Sequence, residues 1–310
     1  MKSVILHLGL LVLLAVLAFV LPTYHQGNLA RIMVLAVYAM GFNLLFGYTG
    51  LLSLGHAMFF AAGMYGTGLA IRHWGADPAL ALVLGIFCGA VLSAGLGVLA
   101  LRARGVGFMI VTLMFAQAIH LTILWFGEWT RGDEGFVLQP ADRMLLGLDL
   151  SQDGTRYWAA FVLFAVTLLL TLWLVQRPLG RALVAIRENE ARTRMLGYDT
   201  ARLKWSALVW SGTLSAMSGA AYALLFGYVG ASFAGVQYSI FPLLWVLLGG
   251  AGTVIGPFVG TVFMFYLIDL TSGITTAYML LAGIALVLLT LFAPQGIVGE
   301  IRKRWLRWLP

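Results

Sequence analysis

The feature that most constrains this chain is a succession of apolar runs, each about as long as a bilayer is thick. Eight stand out: Val4 to Leu21, Leu29 to Phe46, Ala57 to Ile71, Ala79 to Leu101, Gly107 to Trp125, Tyr157 to Val175, Trp205 to Phe226 and Ala277 to Phe292. A membrane-spanning helix needs ~20 residues of this kind. In lipid only helices and closed barrels satisfy their own backbone. These runs are continuous rather than alternating over roughly ten residues, which excludes a barrel. Composition agrees: 61% of the chain is hydrophobic and 10% charged, against about 25% charged in a soluble domain. The expected fold class is an all-α integral membrane protein, a polytopic bundle forming one transmembrane domain over residues 1–310.

Charge sets the orientation, because Lys and Arg gather in cytoplasmic connections. The Arg102/Arg104 turn, the 176–204 segment, the 300–310 tail and Lys2 together hold fourteen of the nineteen basic residues. Placing all four inside leaves Glu128, Asp133, Glu134, Asp142, Asp149 and Asp153 outside. The opening "MKSVILHLGLLVLLAVLAFVLP" looks like a signal peptide but has no small-x-small cleavage site, so it reads as an uncleaved first helix. The stretch from Tyr238 to Leu270 is too long for one helix and is interrupted by "GGAGTVIGP". Parity requires it to cross twice, or to enter and return. The count is then ten membrane helices, with both termini cytoplasmic and the crossing at 238–249 short.

Two glycine breaks are alike in kind: "FGYTGLLSLGHAMFFAAGMYG" and "LLGGAGTVIGPFVG". Broken helices survive at membrane depth where protein or a water-filled path satisfies the freed backbone, and in transporters they often flank the substrate route. Close packing through small residues is the competing reading. Around the first break stand Asn43, Thr49, Ser53 and His56, and Gln117 lies on another apolar run. These five are the candidate lining of a translocation path. No chain of Asp, Glu and His runs through the helix centres, which argues against proton-coupled transport. No catalytic cluster, metal-ligand spacing or phosphate loop is present. The net charge of +7 belongs to the inner connections, not to a nucleic-acid surface.

Two polar connections remain. The outer loop, 127–156, carries three Arg against six Asp/Glu, and its "TRGDEG" offers Arg131, Asp133 and Glu134 as a docking surface for an outer partner. The inner segment, 176–204, carries seven basic and three acidic residues. Pro178 and Gly180 break the preceding helix, Ala182 to Leu196 reads as a short amphipathic helix, and Gly197 ends it. Such a helix can rest on anionic lipid. The mixed signs of Arg187, Glu188, Glu190, Arg192 and Arg194 suit a specific protein surface better.

Here the chain resembles the permease subunits of high-affinity branched-chain amino-acid ABC importers, on their LivM-like side. Four places carry the likeness: "FNLLFGYTGLLSLGHAMFFAAGMY", "TRGDEGF", "GRALVAIRENEARTRMLGYDTARLKWSALVWSGTLSAMSGAAYA", and "LLGGAGTVIGPFVG" followed by "LFAPQGIVG". The resemblance implies a pore formed with a second, LivH-like permease subunit in a bacterial cytoplasmic membrane. It implies two cytoplasmic ATPase subunits that hold ATP and Mg, so this chain carries no cofactor of its own, and a periplasmic binding protein that delivers the amino acid. It assigns Arg187, Glu188, Glu190, Ala191, Arg192 and Gly197 to the segment that couples to the ATPase, although the full EAA-type consensus is not met. Permeases for urea or short amides look alike, and a stand-alone carrier or channel is the alternative of a different class.

Overall fold

The structure, a computed structural model, describes residues 2–145, 147–273 and 277–305; the end of the basic tail, 306–310, lies outside the described residues. Apolar sequence with few β-branched clusters and no route to a closed sheet folds as helix. Among the described residues thirteen helices follow in order: α1 (Lys2–Val20), α2 (Thr23–Asn43), α3 (Ala57–Trp74), α4 (Pro78–Ala100), α5 (Val106–Trp125), α6 (Gly127–Thr130), α7 (Asp153–Gln176), α8 (Pro178–Met195), α9 (Thr200–Phe226), α10 (Val236–Gly249), α11 (Gly256–Ser272), α12 (Tyr278–Phe292) and α13 (Gly296–Arg304). Setting aside the short α6 and the polar α8 and α13, the remaining ten coincide with the ten expected membrane helices.

Five are long and apolar enough to cross a membrane by length and composition: α2 extended by a π-helical turn to Tyr48, α4, α5, α7 and α9. Their burial separates two roles. The apolar window of α2 is 89% buried, whereas those of α4 and α5 are 22% buried. α2 is therefore an interior axis, and α4 and α5 turn apolar faces outward. Helices α3, α4 and α9 pack on one another, and α7, α10 and α11 close around α2. Lipid tails are as apolar as leucine, so close backbone approach has to hold such helices together. The glycines allow it: a Cβ on Gly63 would overlap the carbonyl of Ala216, and one on Gly219 the carbonyl of Phe60.

α10 and α11 form an antiparallel hairpin, with Gly249 against Gly256 and Trp245 against Gly260. At 1.5 Å per residue the fourteen residues of α10 reach only about 21 Å. The chain from Phe226 to Val236 makes up the distance with two strand residues, β4 (Tyr228–Val229), and a 3-10 turn over Ala231–Ala234. The stretch 238–270 is thus a helical hairpin with a short first leg. β4 pairs antiparallel with β1 (Phe136–Val137) of the 127–156 loop. A second small ribbon joins β2 (Met144–Leu145) to β3 (Leu148–Asp149). The bundle thereby has two distinct ends: the loop end, and the opposite end that carries α8 and α13.

Candidate functional site

At the α8 end the two glycine breaks lie against each other. α2 runs into the π turn Leu44–Tyr48, and the chain is then non-helical to His56. The second break spans 250–255. Asn43 staples the two: its Nδ2 donates to Thr253 O at 2.9 Å, and its Oδ1 accepts from Gly252 N at 2.9 Å. Both faces of the amide are occupied, and the residue is 1% exposed. Gly47 leaves no room for a Cβ beside the Asn43 carboxamide and Gly252 N.

The other path candidates sit around this junction. Thr49 Oγ1 donates to Leu44 O at 3.0 Å, closing the π turn, and Ser53 Oγ accepts from Gly55 N at 3.3 Å. His56 is fully buried, with Nε2 3.0 Å from Ser211 Oγ, and Ser211 in turn donates to Gly41 O. Having given its proton to Gly41, the Ser211 oxygen accepts from His56, which puts the ring proton on Nε2. The ring stacks on Tyr38 and meets Phe42 and Phe59 edge-on. The orphan N–H at the start of α3, on Ala57, is met by Ser239 Oγ at 2.9 Å. Gln117 stands apart on α5 and is half-buried. The structure thus gathers Asn43, Thr49, Ser53 and His56 at a sealed junction and does not bring Gln117 to it. Beside them an aromatic cluster, with Tyr38, Phe60, Phe233 and Tyr238 at its centre, fills the space between α2, α3 and α10.

The segment 176–204 is longer in helix than the sequence suggests. Arg177 ends α7 in an extended conformation, and Pro178 opens α8 as its first residue, a position where its missing N–H is harmless. Gly180 does not break the helix; it packs with no room for a Cβ against the Val175 backbone. α8 kinks at Asn189 (φ −160°, ψ 100°), whose Oδ1 caps the following turn by accepting from Arg192 N at 2.9 Å. Gly197 (φ 87°) then reverses the chain in the left-handed region that favours glycine, and Asp199 caps α9.

The named residues of this segment face different ways. Arg187 Nη1 donates to Gly47 O in the first break, and the guanidinium also lies against Gly252 in the second. Arg302 of α13 donates to Gly252 O at 3.1 Å. Glu190 turns inward and takes Lys204 Nζ at 2.7 Å, with Thr200 Oγ1 at 3.2 Å and Arg194 at 3.4 Å. Burial disfavours its charged form, but Lys204, Thr200 and Arg194 outweigh burial and hold the carboxyl below its usual range. Glu188, Ala191, Arg192 and Gly197 are exposed, as are Met195 at 87% and Leu196 at 72%.

At the loop end Arg131, Asp133 and Glu134 are all exposed. Arg131 sits at φ 64°. The loop is framed by the β1–β4 pair and by Tyr228 Oη donating to Glu134 O at 3.1 Å. Sequence reasoning does not reach Arg302, Lys204, Ser211, Ser239 or the aromatic cluster. Their partners lie far along the chain, and aromatics on apolar runs are indistinguishable from packing.

Residues 26–292 match the family described as "Branched-chain amino acid transport system / permease component". The chain is 28% identical to the high-affinity branched-chain amino acid transport system permease protein LivM of Salmonella typhimurium, over 88% of this chain and 69% of that protein. It is 23% identical to the corresponding LivH of the same organism, over 86% and 92%. The autoinducer 2 import system permease protein LsrC of an Enterobacter strain is 30% identical over 59% and 52%. No solved structure matches the chain. With ten apolar helices, two interlocked glycine breaks and a family match over most of its length, the chain belongs to the branched-chain amino acid transport permease family.

Proposed function

We propose that this chain is the membrane-spanning permease subunit of an ATP-driven importer for branched-chain amino acids, with the α8 end in the cytoplasm. The observation that carries the reading is the link from α8 to both breaks. Arg187 reaches Gly47 and Gly252 from the coupling helix, and Asn43 joins the breaks to each other. A displacement of α8 by an ATPase therefore pulls on both interruptions of the helical backbone at once. Asn43, Thr49, Ser53 and His56 shape this inner gate in its closed form and meet substrate when the breaks part; Gln117 flanks the route on α5. Arg192 offers the exposed charge, and Ala191, Met195 and Leu196 the apolar surface, that an ATPase cleft takes, while Glu188 lies on the side of α8 that borders the first break. A second permease subunit completes the pore, and an outer binding protein docks on Arg131, Asp133 and Glu134. ATP and Mg are held by the ATPase subunits.

The test is reconstitution. Leucine uptake into proteoliposomes should require this chain, its partner permease, both ATPases, the binding protein and ATP together. Leucine transport by this chain alone would overturn the reading in favour of a carrier.

A further inference from the structure

Beside the Arg187 clamp lies a cavity of about 590 Å³, bounded by Gly47 and Tyr48 of the first break, Val175 at the end of α7, Val184, Arg187 and Glu188 of α8, and Arg302. Two features set it apart from a packing defect. Each guanidinium spends one nitrogen on a backbone carbonyl, Arg187 on Gly47 and Arg302 on Gly252. Among the described residues neither has a carboxylate partner, and Glu188 has no cationic one. Tyr48 of the first break closes the inner wall of the cavity, its side chain only 3% exposed.

The lining has the charge pattern of an amino acid's complement. Guanidinium groups recognise a carboxylate in a planar, two-pronged way. Glu188 is placed for an ammonium group, and Tyr48, Val175 and Val184 supply an apolar wall. A purely anionic guest, such as a lipid phosphate, would use the two arginines but would be repelled by Glu188.

We propose that this cavity binds an imported amino acid from the cytoplasmic side as a zwitterion and that its occupation slows further uptake, an inference that rests on the importer reading above. The sign follows from the geometry. A guest held by Arg187 and Glu188 on α8 and by Arg302 on α13, and packed against Tyr48 of the first break, adds contacts among elements that must separate for the gate to open. A ligand that binds the closed arrangement better shifts the population toward it.

The experiment has two arms. In the first, tritiated leucine is titrated onto the detergent-purified complex of both permeases and both ATPases, without the binding protein. Saturable binding is expected, weaker by about tenfold in Glu188→Gln and in Arg302→Gln, the loss of roughly one charge-assisted contact. The keto acid of leucine and isopentylamine, each with one of the two charges, should compete poorly. In the second arm, initial uptake is compared between proteoliposomes with empty lumens and with leucine-loaded lumens on the ATPase side. Loading should slow uptake about threefold, and the loaded-to-empty ratio should return toward one in both variants. No leucine binding to the complex, or binding unchanged in both variants, overturns the site. Binding without any effect of loading overturns its regulatory role. Binding that follows phosphatidylglycerol content and ignores the ammonium group makes the cavity a lipid-headgroup site and sinks the proposal. Absence of uptake under every condition counts against the importer reading, and the binding arm still decides the site.

Discussion

Asn43 shows how one side chain can serve two breaks that lie about 210 residues apart. Its carboxamide supplies one donor and one acceptor where Thr253 O and Gly252 N would otherwise be buried without partners. Each orphan costs about 1–3 kcal/mol. Asn43→Leu should therefore lower the thermal unfolding midpoint of the purified complex by several degrees and abolish uptake. A residue that merely lined the path would lose uptake with the midpoint unchanged, which differential scanning fluorimetry distinguishes. Glu190 invites a pH test. Its folded carboxyl sits below the usual range, so its contribution to stability is fully present above the unfolded value of about 4.3. That contribution is lost only as pH falls through the lower folded value. Amide hydrogen exchange over residues 190–200, corrected for intrinsic rates, should stay slow at pH 6 and quicken only in acid, below the unfolded value. In Glu190→Gln the exchange should be faster at pH 6 and lose this pH dependence, because Lys204, itself 9% exposed, has lost its counter-charge at every pH.

At the scale of elements, α8 divides its labour along its length. The first part, up to Glu188, grips the membrane bundle through Arg187. The part beyond the Asn189 kink is pinned to α9 by Glu190 and presents Met195 and Leu196 outward. None of the described residues covers these two side chains, and surface substitutions of this kind change stability by only about 0.5 kcal/mol. Met195→Asp should leave the subunit folded and inserted while reducing its recovery of ATPase in affinity pull-downs about tenfold, an apolar anchor's share of a hot spot. Unchanged ATPase recovery would place the tip in lipid instead. The sequence made the helix visible through its charge pattern and Gly197, but not the kink. Asn189 reads as one more polar residue among charges, and its capping role appears only when Arg192 N is seen on its side chain.

For the molecule as a whole, the ten helices were legible because run length is a direct consequence of bilayer thickness. Lys/Arg asymmetry placed the connections at the ends where they occur. What stayed hidden was every contact made across the bundle: Arg302 with Gly252, Ser239 with Ala57, Glu190 with Lys204. Glycines announce that a helix is interrupted but not what the interruption touches. The loop end illustrates the opposite case, because exposed charge is legible in the sequence itself. Arg131, Asp133 and Glu134 project from a loop fixed by the β1–β4 pair, so they present a preformed surface rather than a mobile one. Charges at the rim of an interface mainly govern encounter and are screened by salt. Asp133→Arg with Glu134→Arg should therefore raise the concentration of binding protein needed for half-maximal uptake, about tenfold at low salt and by much less at 0.5 M. The maximal rate at saturating binding protein should hold. A fall in the maximal rate with no change in that concentration would move these residues from docking to the transport step itself.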